Sequence, residues 1–384
     1  MKMKKMLPIV AFGATTLFYA FNSNKIIDQG YTVTELRTLY SSGDQSKWPT
    51  PTVDESVLKD GFEDIGTLGE VPFPKDNPYS KEKAELGKSL FFDPRLSNSN
   101  QISCANCHDP ELNWGDGRRV PYGEDRQLGA RNSPSLMNVA YSKVMFWDGR
   151  AKTLEEQAEF PIRDKKEMNH HIDFATKRIA EINGYKELFK AAFGDEKVTN
   201  DRITKAIATF ERTILSPKNR FDKFIAGKSD ELTDQEIEGL HLFRTKARCI
   251  NCHNTAYFSD NKFHNIGLTY YGREYEDLGL YNTTKLAKNV GEFKTPSLRE
   301  VPQNAPYMHN GLFPTIRGVI NMYNAGMFHF QPNEKQKNDS LFPKTTGLVQ
   351  KLNLTASEMD ALEAFLMSLK QNQYKMRPPQ LPNK

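Results

Sequence analysis

Cys104-Ala105-Asn106-Cys107-His108 and Cys249-Ile250-Asn251-Cys252-His253 are two copies of one pattern, and together they use all four cysteines of the chain. Cys-x-x-Cys-His is the attachment signature of a c-type haem. The two thiols form thioethers to the porphyrin, and the short turn between them places the next histidine where its imidazole can bind iron. Other uses of the cysteines fit less well. A disulfide pairing gives no reason for a histidine after each closely spaced pair. A four-cysteine zinc site usually draws its pairs from closer in the chain and has no need of both histidines. The pattern therefore implies two covalently attached haems, with His108 and His253 as the iron ligands.

Each copy sits inside a longer repeat. The first runs Glu85-Leu86-Gly87, Leu90-Phe91-Phe92 and then the cysteines; the second runs Glu238-Gly239-Leu240, Leu242-Phe243, Lys246-Ala247-Arg248 and then the cysteines. In both, a helix carrying a glycine and a Leu-Phe pair leads into the attachment turn, which looks like the opening of a cytochrome c domain.

A chain of 384 residues with 38% hydrophobic content can form two domains, each with its own core. The formal charge of +4 is small and forms no basic stripe, so nucleic acid is not an expected partner. Lys2, Lys4 and Lys5 precede an apolar run from Leu7 to Phe21 that is short for a bilayer span; residues 1–21 are read as an export signal or weak anchor. Residues 22–79, broken by Pro49, Pro51, Pro72, Pro74 and Pro78, read as an extension or linker. The first haem domain is expected over 80–228 and the second over 229–384.

Helical stretches are expected over 178–193 and 200–215, the latter with Ile203, Ile207, Phe210 and Ile214 at helical spacing. Capping boxes at Thr233–Glu236 and Thr355–Glu358 open two more helices, and the tail after Tyr374 reads as extended. Strand signals are sparse, so the fold class is all-α, with two cytochrome c-like domains.

Further motifs fall in a set order. They are Phe91-Phe92-Asp93-Pro94-Arg95-Leu96-Ser97, Arg131-Asn132-Ser133-Pro134-Ser135-Leu136, Phe146-Trp147-Asp148-Gly149-Arg150, Thr295-Pro296-Ser297-Leu298-Arg299 and Ala305-Pro306-Tyr307-Met308-His309-Asn310-Gly311. From about Pro78 to Leu369 the chain resembles the bacterial diheme cytochrome c peroxidases and their MauG-type relatives. The resemblance implies that the haem on His108 meets hydrogen peroxide, while the haem on His253 receives electrons or stores an oxidising equivalent. It also implies that Trp147 couples the two haems. Glu167 matches the distal glutamate that moves the peroxide proton, and Gln157 matches a glutamine of the same pocket. Asn132, with the carbonyls of Asn304 and Pro306, matches a calcium site.

Many of the peroxidases carry a histidine in the loop after the first attachment site, where it caps the resting iron. Residues 109–131 hold no histidine, and Glu124 falls near its place. The first haem is therefore expected to be open without prior reduction. His170 and His171 are alternative caps, though a polar pair at the pocket lip is the simpler reading.

The sixth ligand of the second haem separates the branches: methionine in the peroxidases, tyrosine in the MauG type. Tyr323 stands at that position, with Met322 beside it. With Thr315 as N-cap, Ile316, Val319, Ile320 and Tyr323 form one stripe at i, i+3, i+4 and i+7, and Met322 lies ~100° away around the helix. The spacing favours Tyr323 over Met322, with Met308 more distant. A thioether would raise the haem potential, whereas a phenolate, displaced from its usual pKa of about 10, would lower it.

Three functions are compatible with this reading. The first is a periplasmic peroxidase reducing hydrogen peroxide with electrons from a small cytochrome c or cupredoxin-type donor. The second is a MauG-like oxidase that modifies Trp or Tyr of a partner protein through a bis-Fe(IV) state. The third is a passive electron carrier, against which Glu167 and Gln157 argue. A homodimer is compatible with all three.

Overall fold

The structure, a computed structural model, describes residues 26–371 and 376–383. The export segment expected over 1–21 lies outside them. The helices are α1 (Val33–Tyr40), α2 (Glu55–Lys59), α3 (Lys81–Phe91), α4 (Leu154–Arg163), α5 (Ile172–Ala180), α6 (Asn183–Phe193), α7 (Asn200–Glu211), α8 (Arg220–Ile225), α9 (Asp234–Arg244), α10 (Tyr281–Thr284), α11 (Ile316–Asn324) and α12 (Ala356–Ser368). Two strands of two residues each, β1 (Phe263–His264) and β2 (Phe293–Lys294), pair antiparallel. The helix expected over 178–193 is two, α5 and α6, divided at Glu181–Ile182.

Two lobes are built on one plan. In the first, α3 crosses α7; in the second, α9 crosses α12. Each crossing is so close that only glycine fits. A Cβ on Gly87 would lie 1.9 Å from the Ala206 carbonyl oxygen, and a Cβ on Gly239 would lie 1.9 Å from that of Ala361. Behind each glycine is an aromatic cluster. Phe91 meets Trp114 and Phe210 at centroid separations of 5.8 and 5.3 Å; Phe243 meets Phe258 and Phe365 at 6.0 and 5.4 Å. These edge-on and tilted packings add to the apolar burial at the centre of each core. Both expected capping boxes are formed, at Thr233 and at Thr355.

Most of the segment expected to be a linker packs into the second lobe, a correction with a clear physical cause, while Asn77 near its end bonds Glu155 and the Lys205 carbonyl of the first. Its prolines end helices, yet Ile27, Leu36, Tyr40, Trp48 and Ile65 are all buried in the core that contains α9 and α12. Polar groups fix its register. Tyr40 Oη bonds His241 Nδ1 at 2.9 Å, and Arg244, 1% exposed, donates to Tyr40 Oη, the Pro49 carbonyl and Asp64. The C-terminal tail, assigned from sequence to the second domain, crosses back to the first lobe. Arg95 donates to the Pro382 carbonyl at 3.0 Å, and the Gly184 N–H donates to that of Asn383 at 3.2 Å. Each chain end therefore braces the lobe remote from it in sequence.

At the lobe junction the plan is exchanged reciprocally. The Asn132 N–H donates to the His309 carbonyl at 2.8 Å, and the Lys294 N–H donates to the Trp147 carbonyl at 2.9 Å. Asn132 and Lys294 each stand two residues before a Pro-Ser-Leu, and Trp147 and His309 each stand two residues before a glycine with positive φ.

Candidate haem-binding and peroxide site

A continuous cavity of about 920 Å³ runs between the lobes, lined at one end by Cys107 and His108 and at the other by Cys249, Cys252 and His253. All four cysteines are free thiols, half-buried. His108 Nδ1 bonds the Trp114 carbonyl at 3.1 Å, and His253 Nδ1 bonds the Phe258 carbonyl at 3.2 Å. Both carbonyls belong to residues with positive φ, 61° at Trp114 and 57° at Phe258. For bulky residues that conformation is costly, and here it aims a carbonyl at each ring. Engaging Nδ1 leaves Nε2 of both rings for a metal. Burial lowers both histidine pKa values, which favours the neutral imidazole an iron requires. Thiols, free ring nitrogens and an elongated cavity fit two covalently attached haems.

Gln157 and Glu167 come from α4 and the loop after it. Thr153 caps α4, accepting from the Glu156 N–H at 3.1 Å, so that Leu154, Gln157 and Pro161 face the cavity. Gln157 Oε1 is buried with no hydrogen-bond partner among the described residues. Such an atom is costly to bury unless something in the cavity bonds it. Glu167 lines the same end, and its carboxyl is pushed up to about 7, chiefly by burial and then by Asp164, with Arg150 opposing. A carboxyl poised near neutrality can both take and return a proton.

On α11, Thr315 accepts from the Gly318 N–H at 3.1 Å, and Ile316, Val319, Ile320 and Tyr323 all line the cavity. The stripe expected from spacing is the cavity-facing stripe. Met322 does not line it; it packs on Leu268, Met327 and Val349. Met308 does line it. Burial pushes the Tyr323 phenol well above its usual range.

Trp147 lines the cavity, its Nε1 donating to the Asn132 carbonyl at 2.9 Å. Asn132, Asn304 and Pro306 all reach the cavity. Asn132 Nδ2 donates to the Arg118 carbonyl at 2.8 Å, which turns its oxygen the other way, and neutral oxygens of this kind suit calcium.

Glu124 is not in the cavity. It is 4% exposed and accepts from the Ser99 N–H and hydroxyl at 3.0 and 2.8 Å. Neither His170 nor His171 lines the cavity; His171 caps α5. Cys252, Asp260 and His264 are grouped closely enough to hold a metal, but Cys252 belongs to the attachment pattern, and Asp260 pairs with His264 at 2.7 Å.

Sequence reasoning passed over two cavity residues. His309, 3% exposed, stacks on Phe293 at 3.5 Å with Nε2 unpartnered among the described residues. Lys294 lines the cavity without a carboxylate partner among those residues. Their kinship to Trp147 and Asn132 was the available signal.

The family model for di-haem cytochrome c peroxidase matches residues 81–230. A methylamine utilization protein MauG of Methylophilus methylotrophus is 38% identical over 318 residues, covering 81% of this chain and 89% of that protein. Cytochrome-c peroxidase IdrP1 of Pseudomonas sp. (strain SCT) is 34% identical, covering 81% of this chain and 86% of that one. Among solved structures, a MauG-like protein associated with microbial copper homeostasis superposes with a TM-score of 0.70 at 30% identity, covering 79% of this chain and 93% of that one. The chain is a member of the di-haem cytochrome c peroxidase and MauG family, a haem peroxidase-type oxidoreductase.

Proposed function

We propose that hydrogen peroxide reacts at the end of the cavity that holds His108, Gln157 and Glu167, and that the protein reduces it to water with electrons from a small cytochrome c or cupredoxin-type donor. The observation that carries this reading is the pairing of an unpartnered Gln157 Oε1 with a Glu167 carboxyl held near neutrality in one cavity. Haem held by Cys104, Cys107 and His108 would supply the electrophilic iron and the electrons for O–O cleavage. Glu167 takes the proton from one peroxide oxygen and returns it to the other, which leaves as water. Gln157 Oε1 accepts a hydrogen bond from the bound peroxide and orients it. Two electrons and two further protons complete the conversion of one peroxide to two waters.

Tyr323 supports a second reading. Tyr323, through its phenolate, and His253 would both hold the iron of the second haem, and Trp147 would couple the haems. A phenolate ligand from Tyr323 would lower that haem's potential, which suits MauG-like oxidation of Trp or Tyr in a partner protein. Calcium held by Asn132, Asn304 and Pro306 would fix the junction. The site of action is the periplasm, consistent with thioether attachment and the leading lysines; among the described residues no helix is long and apolar enough to cross a membrane.

The discriminating experiment is turnover of the reduced haem protein with peroxide. Steady turnover with a reduced small cytochrome supports the first reading. Slow turnover with a long-lived oxidised state, discharged by a protein substrate, supports the second.

A further inference from the structure

Lys294 is a half-buried cation with no carboxylate partner among the described residues. Its ammonium donates to Ser142 Oγ at 2.8 Å and to the Val144 carbonyl at 2.9 Å, both neutral acceptors. Burial alone lowers its pKa, to about 8, with no charged group contributing. Other cations of the junction are matched. Arg131 pairs with Asp148 and Asp277 at 2.6 and 2.7 Å, and Arg150 pairs with Asp148 at 2.9 Å. An ammonium that loses its water without gaining an anion is costly, and a group filling the cavity that Lys294 lines would complete that loss.

The position identifies the missing anion. Lys294 lines the cavity together with Cys252, His253 and Pro296, and stands two residues before Pro296. Its counterpart in the first lobe is Asn132, a neutral side chain, so the cation is particular to the second lobe. Haem is the one group the cavity is built to take, and it brings carboxylates as propionate side chains. We propose that Lys294 is the counter-ion of a propionate on the haem attached through Cys249 and Cys252, and that it raises that haem's reduction potential. This rests on the haem reading above but not on the choice between peroxidase and oxidase.

The sign follows from charge. A cation beside the porphyrin favours Fe(II) over Fe(III), so removing it favours the oxidised form. The test compares the holoprotein with Lys294→Gln and Lys294→Arg. Mass spectrometry counts haem adducts, spectroelectrochemistry gives both midpoint potentials, and resonance Raman reads the propionate-bending modes. Lys294→Gln should lower the potential of the second haem more than that of the first, and Lys294→Arg should restore it. A doubly loaded Lys294→Gln protein with wild-type potentials overturns the proposal. If the glutamine variant does not load, the arginine variant decides: a shifted propionate mode supports the contact, and a mode identical to wild type overturns it. A wild-type chain without haem overturns the haem reading and this proposal together.

Discussion

Pro161 on α4 and Tyr323 on α11 stand at the same place in two equivalent helices. Thr153 and Thr315 cap those helices, and Leu154 and Ile316, Gln157 and Val319, and Pro161 and Tyr323 face the cavity in matched pairs. Where one lobe offers a phenol, the other offers a ring with no atom that can bind iron. The asymmetry between the proposed capped and open haems is thus written in one pair of positions.

Glu167→Gln should leave both haems attached and slow the reaction with peroxide by ~10²-fold or more, the usual worth of a positioned acid–base group. Stopped-flow mixing with peroxide measures it, and unchanged kinetics would remove Glu167 from the mechanism.

The same residue sets a pH dependence. Its pKa is raised to about 7, so the carboxylate needed as a base predominates above that pH and is lost below it. The second-order rate constant with peroxide should rise with pH through about 7 and then level off. A rate that falls through this range would contradict the assignment.

Tyr323→Met should raise the potential of the second haem and change its spectrum, because a thioether favours Fe(II) more than a phenolate does. Met322→Leu should change neither, since Met322 lies off the cavity-facing stripe. The reverse pattern would transfer the ligand role to Met322.

Gly87→Ala and Gly239→Ala should each destabilise the fold by ~1–3 kcal/mol or more, as overpacking does. Gly69→Ala, with open space around the position, should stay within ~0.5 kcal/mol of wild type. Thermal denaturation of the three holoproteins checks the contrast.

Arg244→Met should cost about 3 kcal/mol, since it leaves Asp64 and Tyr40 without their buried partner. A loss confined to small surface values would mean that the N-terminal segment does not stabilise the second lobe.

The sequence made local chemistry legible and left long-range chemistry hidden. The caps at Thr233, Thr315 and Thr355 and the Ile316–Tyr323 stripe are local patterns, and each stands in the structure as spacing predicts. Ile27, Leu36, Tyr40 and Trp48 are spread among turns and prolines without one period, so nothing in their order showed that they fill the second core. Glu124 stands near the sequence position where a capping histidine is found in the peroxidases, and its carboxylate is held by Ser99 outside the cavity. His309 and Lys294 gain meaning only across the lobe junction, through bonds to Asn132 and Trp147 far away in sequence.

The central claim is that one haem is open to peroxide while the other is capped. Electron paramagnetic resonance of the resting, fully oxidised holoprotein tests it most directly. A high-spin ferric signal beside a low-spin one, in equal amounts, is the predicted result; two low-spin signals, with both irons saturated, would contradict it.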